Sequence, residues 1–209
     1  MRRLFIICLL LTAVPCFAIG PESMMMKAPA ATGSCNCSSG CTFIGENVTT
    51  GTVDTGVDGG YAWGNAPTQA MWQTGSGDAG KQVCEISVYA HYGSTATYVI
   101  RTAMYDNTAS PNTAKIADTQ NTTVSNASFA WIGAMNSSQI NGGTPVYVAA
   151  STYYSGWVWI QNNDTHIKYT LTGTGTTRDV CSVNYVSGFP ATLTTQASGA
   201  QYSIRIGYK

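Results

Sequence analysis

Charge is what this chain has least of. Ten basic and ten acidic side chains in 209 residues make up 10% of the composition, against roughly 25% in an average soluble protein. A charge so thin and balanced offers no basic face to nucleic acid or anionic lipid, and neither is expected as a partner. Helical periodicity is missing as well, since no segment repeats apolar residues at three-to-four spacing for more than two turns. Catalytic signatures are absent: there is no Gly-x-Ser-x-Gly elbow, no His-Glu-x-x-His and no phosphate-binding loop. Beyond the first eighteen residues the glutamates are Glu22, Glu46 and Glu85, none in a telling context. A glycoside hydrolase, which needs two carboxylates brought together, is therefore the lesser alternative, and the chain reads as not an enzyme. The two histidines, His91 and His166, fall on expected strands and read as surface residues.

The N-terminus is the clearest positive feature. Arg2 and Arg3 precede an apolar run over 4–14, and Pro15-Cys16-Phe17-Ala18 ends in a small residue with another small one two before it. That is the layout of a secretory signal peptide over 1–18, cleaved after Ala18. The run is shorter than the roughly 20 residues that span a bilayer, and no second one follows, so the chain is expected to be secreted and extracellular with no membrane insertion. A lipidated Cys16 is the weaker reading because Val14-Pro15 is a poor approach to such a cysteine. Without the leader, eight basic groups face ten acidic ones, a net charge near −2.

Of seven cysteines, Cys8 and Cys16 leave with the leader, and Cys35, Cys37, Cys41, Cys84 and Cys181 remain as disulfide candidates. Outside the cytoplasm they should oxidise where geometry allows. The odd count leaves one free or paired between chains, and spacing does not give the connectivity. The competing reading is a metal knot at Cys35-Asn36-Cys37-Ser38-Ser39-Gly40-Cys41. Zinc would want four ligands, and neither histidine is close in sequence, so disulfides are favoured.

Residues 19–41 read as an N-terminal arm: Pro21, Met24-Met25-Met26, Pro29 and Ala30-Ala31 follow neither a helical nor a strand period, and a Cys/Ser/Gly cluster closes the segment. Such an arm is a tether, or a Met-rich contact with a partner chain. Residues 42–209 form one domain. With 44% hydrophobic and 11% aromatic residues it can bury a core, unlike a disordered chain. Over 82–91, Cys84, Ile86, Val88 and Ala90 alternate with Glu85, Ser87, Tyr89 and His91, a half-buried strand. A second strand is expected over 95–105, with Tyr98, Ile100, Thr102 and Met104 on one face and Arg101 on the other. Shorter ones follow over 114–119, 128–134, 146–153, 157–161 and 166–172. Asn141-Gly142-Gly143 and Thr172-Gly173-Thr174-Gly175 punctuate them. The last strand alternates Tyr202, Ile204, Ile206 and Tyr208 with Ser203, Arg205 and Gly207. Nine or ten short strands without intervening helices predict an all-β antiparallel sandwich or barrel.

An ordered series of segments adds to this. Cys84-Glu85-Ile86-Ser87-Val88-Tyr89 is followed by Ile100-Arg101-Thr102-Ala103-Met104-Tyr105-Asp106 and Trp131. Gly143-Thr144-Pro145-Val146-Tyr147-Val148, Gly188-Phe189-Pro190-Ala191 and Tyr202-Ser203-Ile204 complete it. The series resembles a jelly-roll-like β-sandwich module of secreted microbial proteins, similar in outline to carbohydrate-binding modules, over about Ala70 to Lys209. The resemblance implies attachment to a polysaccharide or cell-surface glycan, or repeated packing in an extracellular structure. It brings no catalytic motif.

Candidate ligand contacts are Trp63, Trp72, Tyr153, Tyr154, Trp157 and Trp159, with Trp131 and Tyr61 as further platform rings, because aromatic faces stack on the C–H faces of sugar rings. Trp157 and Trp159 are two apart and point the same way on a strand. The competing reading puts Trp131, and one face including Trp157, in the core. No cofactor is expected beyond a structural calcium at Asp54 and Asp58, beside Gly59-Gly60, where carboxylates and carbonyls could supply oxygens; the spacing suits a solvated turn better. Asn36, Asn47, Asn121, Asn126, Asn136 and Asn163 each begin an Asn-x-Ser/Thr triplet and are glycosylation candidates. The expected function is a secreted, non-catalytic β-sandwich that binds carbohydrate or another extracellular surface. The alternative is a structural subunit of an extracellular filament or coat, a homo-oligomer whose Thr- and Gly-rich surface has few charges to desolvate on packing.

Overall fold

A computed structural model describes residues 34–45, 49–54, 62–65, 72–92, 98–108, 114–161, 165–179, 187–193 and 195–209. The fold is an all-β antiparallel sandwich. In chain order the strands are β1 (Thr42–Gly45), β2 (Thr52–Asp54), β3 (Ala62–Asn65), β4 (Val83–Tyr92), β5 (Tyr98–Asp106) and β6 (Ala114–Asp118). They continue as β7 (Thr122–Val124), β8 (Ala130–Ala134), β9 (Tyr154–Ile160), β10 (Thr165–Asp179), β11 (Thr195–Tyr202) and β12 (Ile204–Tyr208). Hydrogen bonding runs in the order β1-β12-β4-β10-β3-β9-β5-β6, with β8 on β4, β7 on β5, and β2 and β11 on β10. Strand β10 begins against β4, at Thr165 to Ile167, and ends against β3, at Thr177 and Arg178. It therefore serves both layers.

Alternation builds the core between the layers. Ile86, Val88 and Ala90 of β4 and Ile204, Ile206 and Tyr208 of β12 meet Ile100 and Met104 of β5 and Val158 and Ile160 of β9. Thr102 shares that inward face and satisfies its hydroxyl on the Ile86 carbonyl at 2.9 Å, as a buried polar group must. Trp72 is 1% exposed in the same cluster. A Cβ on Gly156 would lie 3.1 Å from its indole ring, so the bare backbone there makes room for the ring.

Strands β5 and β9 are covered on their other face too. Ala103, Tyr105, Trp157 and Trp159 form a second cluster with Phe189 and Leu193. The segment 187–193 is fastened there by Asp118. Its carboxylate accepts from Arg101 Nε at 2.7 Å, Lys115 Nζ at 3.0 Å and the Phe189 N–H at 2.9 Å. Lys115 Nζ also donates to the Phe189 carbonyl, and the Tyr105 hydroxyl donates to that of Pro190 at 2.6 Å.

Two expectations change. No regular strand forms over 146–153: Val146 and Val148 are buried, but their backbone bonds go to Gly80, Lys81 and Val83, and Ser151 turns the chain with φ 50. Conversely, the Gly173 and Gly175 region does not end a strand. Strand β10 runs through it, and the irregularity is absorbed as a register shift between Leu171 and Thr176 against β11, the bulge for which glycine is suited.

Cys35–Cys84 and Cys37–Cys41 are disulfides, while Cys181 lies outside the described residues. The first joins residues 49 apart and the second residues 4 apart. Loop-closure entropy then assigns about 4 and about 2 kcal/mol respectively. Denaturant unfolding of the Cys35→Ala/Cys84→Ala pair should show the larger loss, and that of Cys37→Ala/Cys41→Ala the smaller.

Near the C-terminus, Asp78 accepts from Lys81 Nζ at 2.6 Å, from the Tyr208 hydroxyl at 2.7 Å and from the Gly75 N–H at 2.7 Å. These donors, Lys81 foremost and then Tyr208, hold its carboxyl at about 2 against an ordinary 3.8. Burial pushes the Tyr208 hydroxyl up, so it remains a donor. A depressed carboxylate adds stability above its unfolded value and loses it as pH falls through its folded value. Tyr208→Phe should therefore be less stable than wild type at neutral pH, with the gap narrowing between pH 4 and pH 2, as read by urea unfolding across that range.

Candidate binding surface

The outward face of β4 carries an aromatic and cationic strip. Alternation sends Glu85, Ser87, Tyr89 and His91 away from the core, and the partner strands supply the rest. Tyr89 pairs with Trp131 across β8 and His91 with His166 across β10, so like side chains meet on one face. Phe129, just before β8, stacks on Tyr89 with centroids 5.5 Å apart, and Tyr89 leans on Trp131 at 5.3 Å. His91 meets Phe129 edge-on at 4.2 Å and His166 at 4.8 Å. The two imidazoles approach to 3.3 Å, His166 Nδ1 to His91 Nε2.

Cations fill the gaps. The Arg205 guanidinium of β12 lies between Phe43 of β1 and Trp131, 4.3 and 4.0 Å from their centroids. Lys168 of β10 places its ammonium 4.7 Å from the Phe129 centroid and donates to the Gly51 carbonyl at 2.9 Å. Under the strip, Glu85 is 2% exposed and accepts from Arg205 Nε at 2.9 Å, Arg205 Nη2 at 2.8 Å and the Ser87 hydroxyl at 2.6 Å. This anchors the guanidinium against the two rings, each contact worth about 0.5–2 kcal/mol. The rings lean on one another, so the strip is a corrugated apolar rail dotted with polar nitrogens and not a single flat platform. Phe43 is 39% exposed at its end.

The residues expected to bind are distributed otherwise. Trp157 and Trp159 are 0% and 2% exposed, and Trp72 and Tyr154 are also buried; none presents a free ring. Trp157 and Trp159 do point the same way, but segment 187–193 lies over that side of the sheet. Trp157 donates to Ser155 Oγ at 3.1 Å, and Tyr154 accepts the Ala149 N–H at 2.9 Å. Tyr153 is half-buried in a bridge with Gln73. Trp63 is on β3 and its side chain is outside the described residues, as are Tyr61 and Asp58. Asp54 closes β2 with only its backbone described. Trp131, for which the sequence left both a platform and a core position open, stands on the outer strip, because β8 turns Ile132 and Ala134 inward. The alternation that names Tyr89 and His91 as outward already held the signal. The missing part was which strands flank β4.

Among the described residues, the groups that converge as metal ligands are sulfurs, those of Cys37, Cys41 and Cys84. Asn36 and Asn136 face each other in an isolated bridge. Each turns its side-chain oxygen onto the N–H and hydroxyl of the serine two residues on. Asn126 donates its amide to the Ala90 carbonyl at 3.2 Å, and Asn121 is exposed, accepting from Arg101. Asn47 and Asn163 lie outside the described residues.

Removing Arg205 would strand a buried carboxylate. Arg205→Ala should cost about 3 kcal/mol by chemical unfolding, and Arg205→Lys should recover only part of it, since a compact ammonium lacks the paired Nε and Nη2 donors that meet Glu85 and the extended cation that reaches both rings. Comparison with protein-family models and with curated proteins finds no match.

Proposed function

We propose that this is an exported, non-catalytic binding module that attaches to polysaccharide through the outer strip. The observation that carries the reading is the run of Phe43, Trp131, Tyr89 and Phe129 along one outward face, interleaved with Arg205, Lys168 and the two histidines. Ring edges and faces pack on sugar C–H groups, while the Lys168 ammonium, which gives one of its three donors to Gly51, meets hydroxyls. The leader and the disulfides are compatible with work outside the cell.

A second reading, a filament or coat subunit, draws support from β1. Among the described residues it ends the hydrogen-bonded order with one partner, β12, and such an edge beside exposed Phe43 is a place where another chain can add a strand.

Pull-down on insoluble cellulose, chitin and xylan tests the first reading. Wild type should be retained on at least one matrix, and Phe129→Ala/Trp131→Ala should bind at least tenfold more weakly, about 1.4 kcal/mol. Trp157→Phe, altered only in the core, should bind as wild type. Retention of the double variant at wild-type strength, or no retention of the wild type on any matrix, would reject it. Size-exclusion chromatography of the secreted protein tests the second: higher-order assemblies favour it, and a strict monomer removes it.

A further inference from the structure

Four cysteines from two distant segments bring their sulfurs to one place. The Sγ atoms of Cys37, Cys41 and Cys84 lie within 4.8 Å of one another, and Cys35 Sγ is bonded to Cys84. The stretch Cys35-Asn36-Cys37-Ser38-Ser39-Gly40-Cys41 alone offers three thiols. Strand β4 supplies the fourth. The register of β4 on β12 passes from Glu85↔Gly207 to Val83↔Tyr208, which leaves Cys84 as the extra residue of a bulge, the device by which a strand re-aims a side chain.

We propose that, when reduced, Cys35, Cys37, Cys41 and Cys84 form a tetrahedral site for one soft divalent ion of the zinc class, and that the two disulfides are the oxidised form of the same four sulfurs. In a zinc–thiolate tetrahedron each sulfur is about 2.3 Å from the ion, so sulfurs stand about 3.8 Å apart. Both bonded pairs have Cα atoms 5.2 Å apart, so side-chain rotation can open each pair to that spacing without moving the backbone far. Thiolate sulfur also selects zinc over calcium or magnesium.

The backbone keeps the four residues together without the S–S bonds. Cys35 donates its N–H to Ser137 Oγ at 2.8 Å, and its carbonyl accepts the Ser137 N–H at 2.8 Å. Asn36 bridges to Asn136. Gly40, at φ 77, turns the chain so that Cys41 returns beside Cys37, and β1 then pairs with β12. Gly207 forms the floor, since a Cβ there would sit 2.6 Å from Cys37 Sγ.

The chemistry balances with a dithiol as reductant. Each protein disulfide takes two electrons and two protons, and each dithiol leaves as its cyclic disulfide. Ion binding then releases four thiol protons to solvent, giving a four-thiolate centre of net charge −2. The site is independent of polysaccharide attachment.

Cobalt(II) is the probe. The full chain, reduced with dithiothreitol and desalted under nitrogen, should bind one Co²⁺ per chain with the intense visible bands of tetrahedral thiolate coordination. Zn²⁺ should displace it, and reoxidation should release the metal as both disulfides re-form. Cys181→Ser should behave as wild type, whereas Cys84→Ser should weaken binding at least tenfold. If Cys84→Ser does not fold, Cys41→Ser, in the turn, carries the same expectation. A pale octahedral spectrum, one ion shared by two chains, unchanged binding in the serine variants, or a reduced chain that unfolds without taking up metal overturns the proposal.

Discussion

Asp118 accepts from Arg101, Lys115 and the backbone of Phe189, and the covering of the second face of β5 and β9 depends on that clamp. It holds segment 187–193 over β5 and β9, so that this pair of strands is buried on both faces. One face joins the core between the layers, and the other carries Tyr105, Trp157 and Trp159 beneath Phe189 and Leu193. Two cations on one partly buried carboxylate suffice because each also has other work: Lys115 reaches the Phe189 carbonyl and Arg101 reaches Asn121. With the largest rings turned to stability on this side, the open aromatic surface lies on the opposite layer, over β4.

Much of this was legible in the residues. The alternation of β4, β5 and β12 assigned Ile86, Val88, Ile100, Met104, Ile204 and Ile206 to the core, and they meet there. What alternation cannot give is what lies over a strand's second face. Trp157 and Trp159 are two apart and share a direction, but direction does not say whether solvent or Phe189 waits there. Trp131 is the reverse case: a large ring suits a core or a platform equally, and β8 points it outward with Ile132 and Ala134 inward. Backbone position in the outer layer, set by pairings between residues such as Tyr89 and Trp131 that are distant in sequence, decides both cases. The clustering of Cys84 with Cys35, Cys37 and Cys41 hides for the same reason, since one β-bulge on a partner strand aims the fourth sulfur.

Strand β12 connects the two features of the outer layer. Arg205 stands between Phe43 and Trp131 at one position, and two residues on Gly207 leaves room for Cys37 Sγ and for the Phe43 ring, which a Cβ would meet at 2.6 and 2.7 Å. The Cys37–Cys41 link thus abuts the end of the aromatic strip, next to the short strand β1 that pairs with β12.

Strand β12 also lies between β1 and β4, antiparallel to both, and is followed by Lys209, whose backbone exchanges bonds with Gln82. A load applied to β12 along the strand axis meets both ladders in shear. Their hydrogen bonds would have to fail together instead of one at a time.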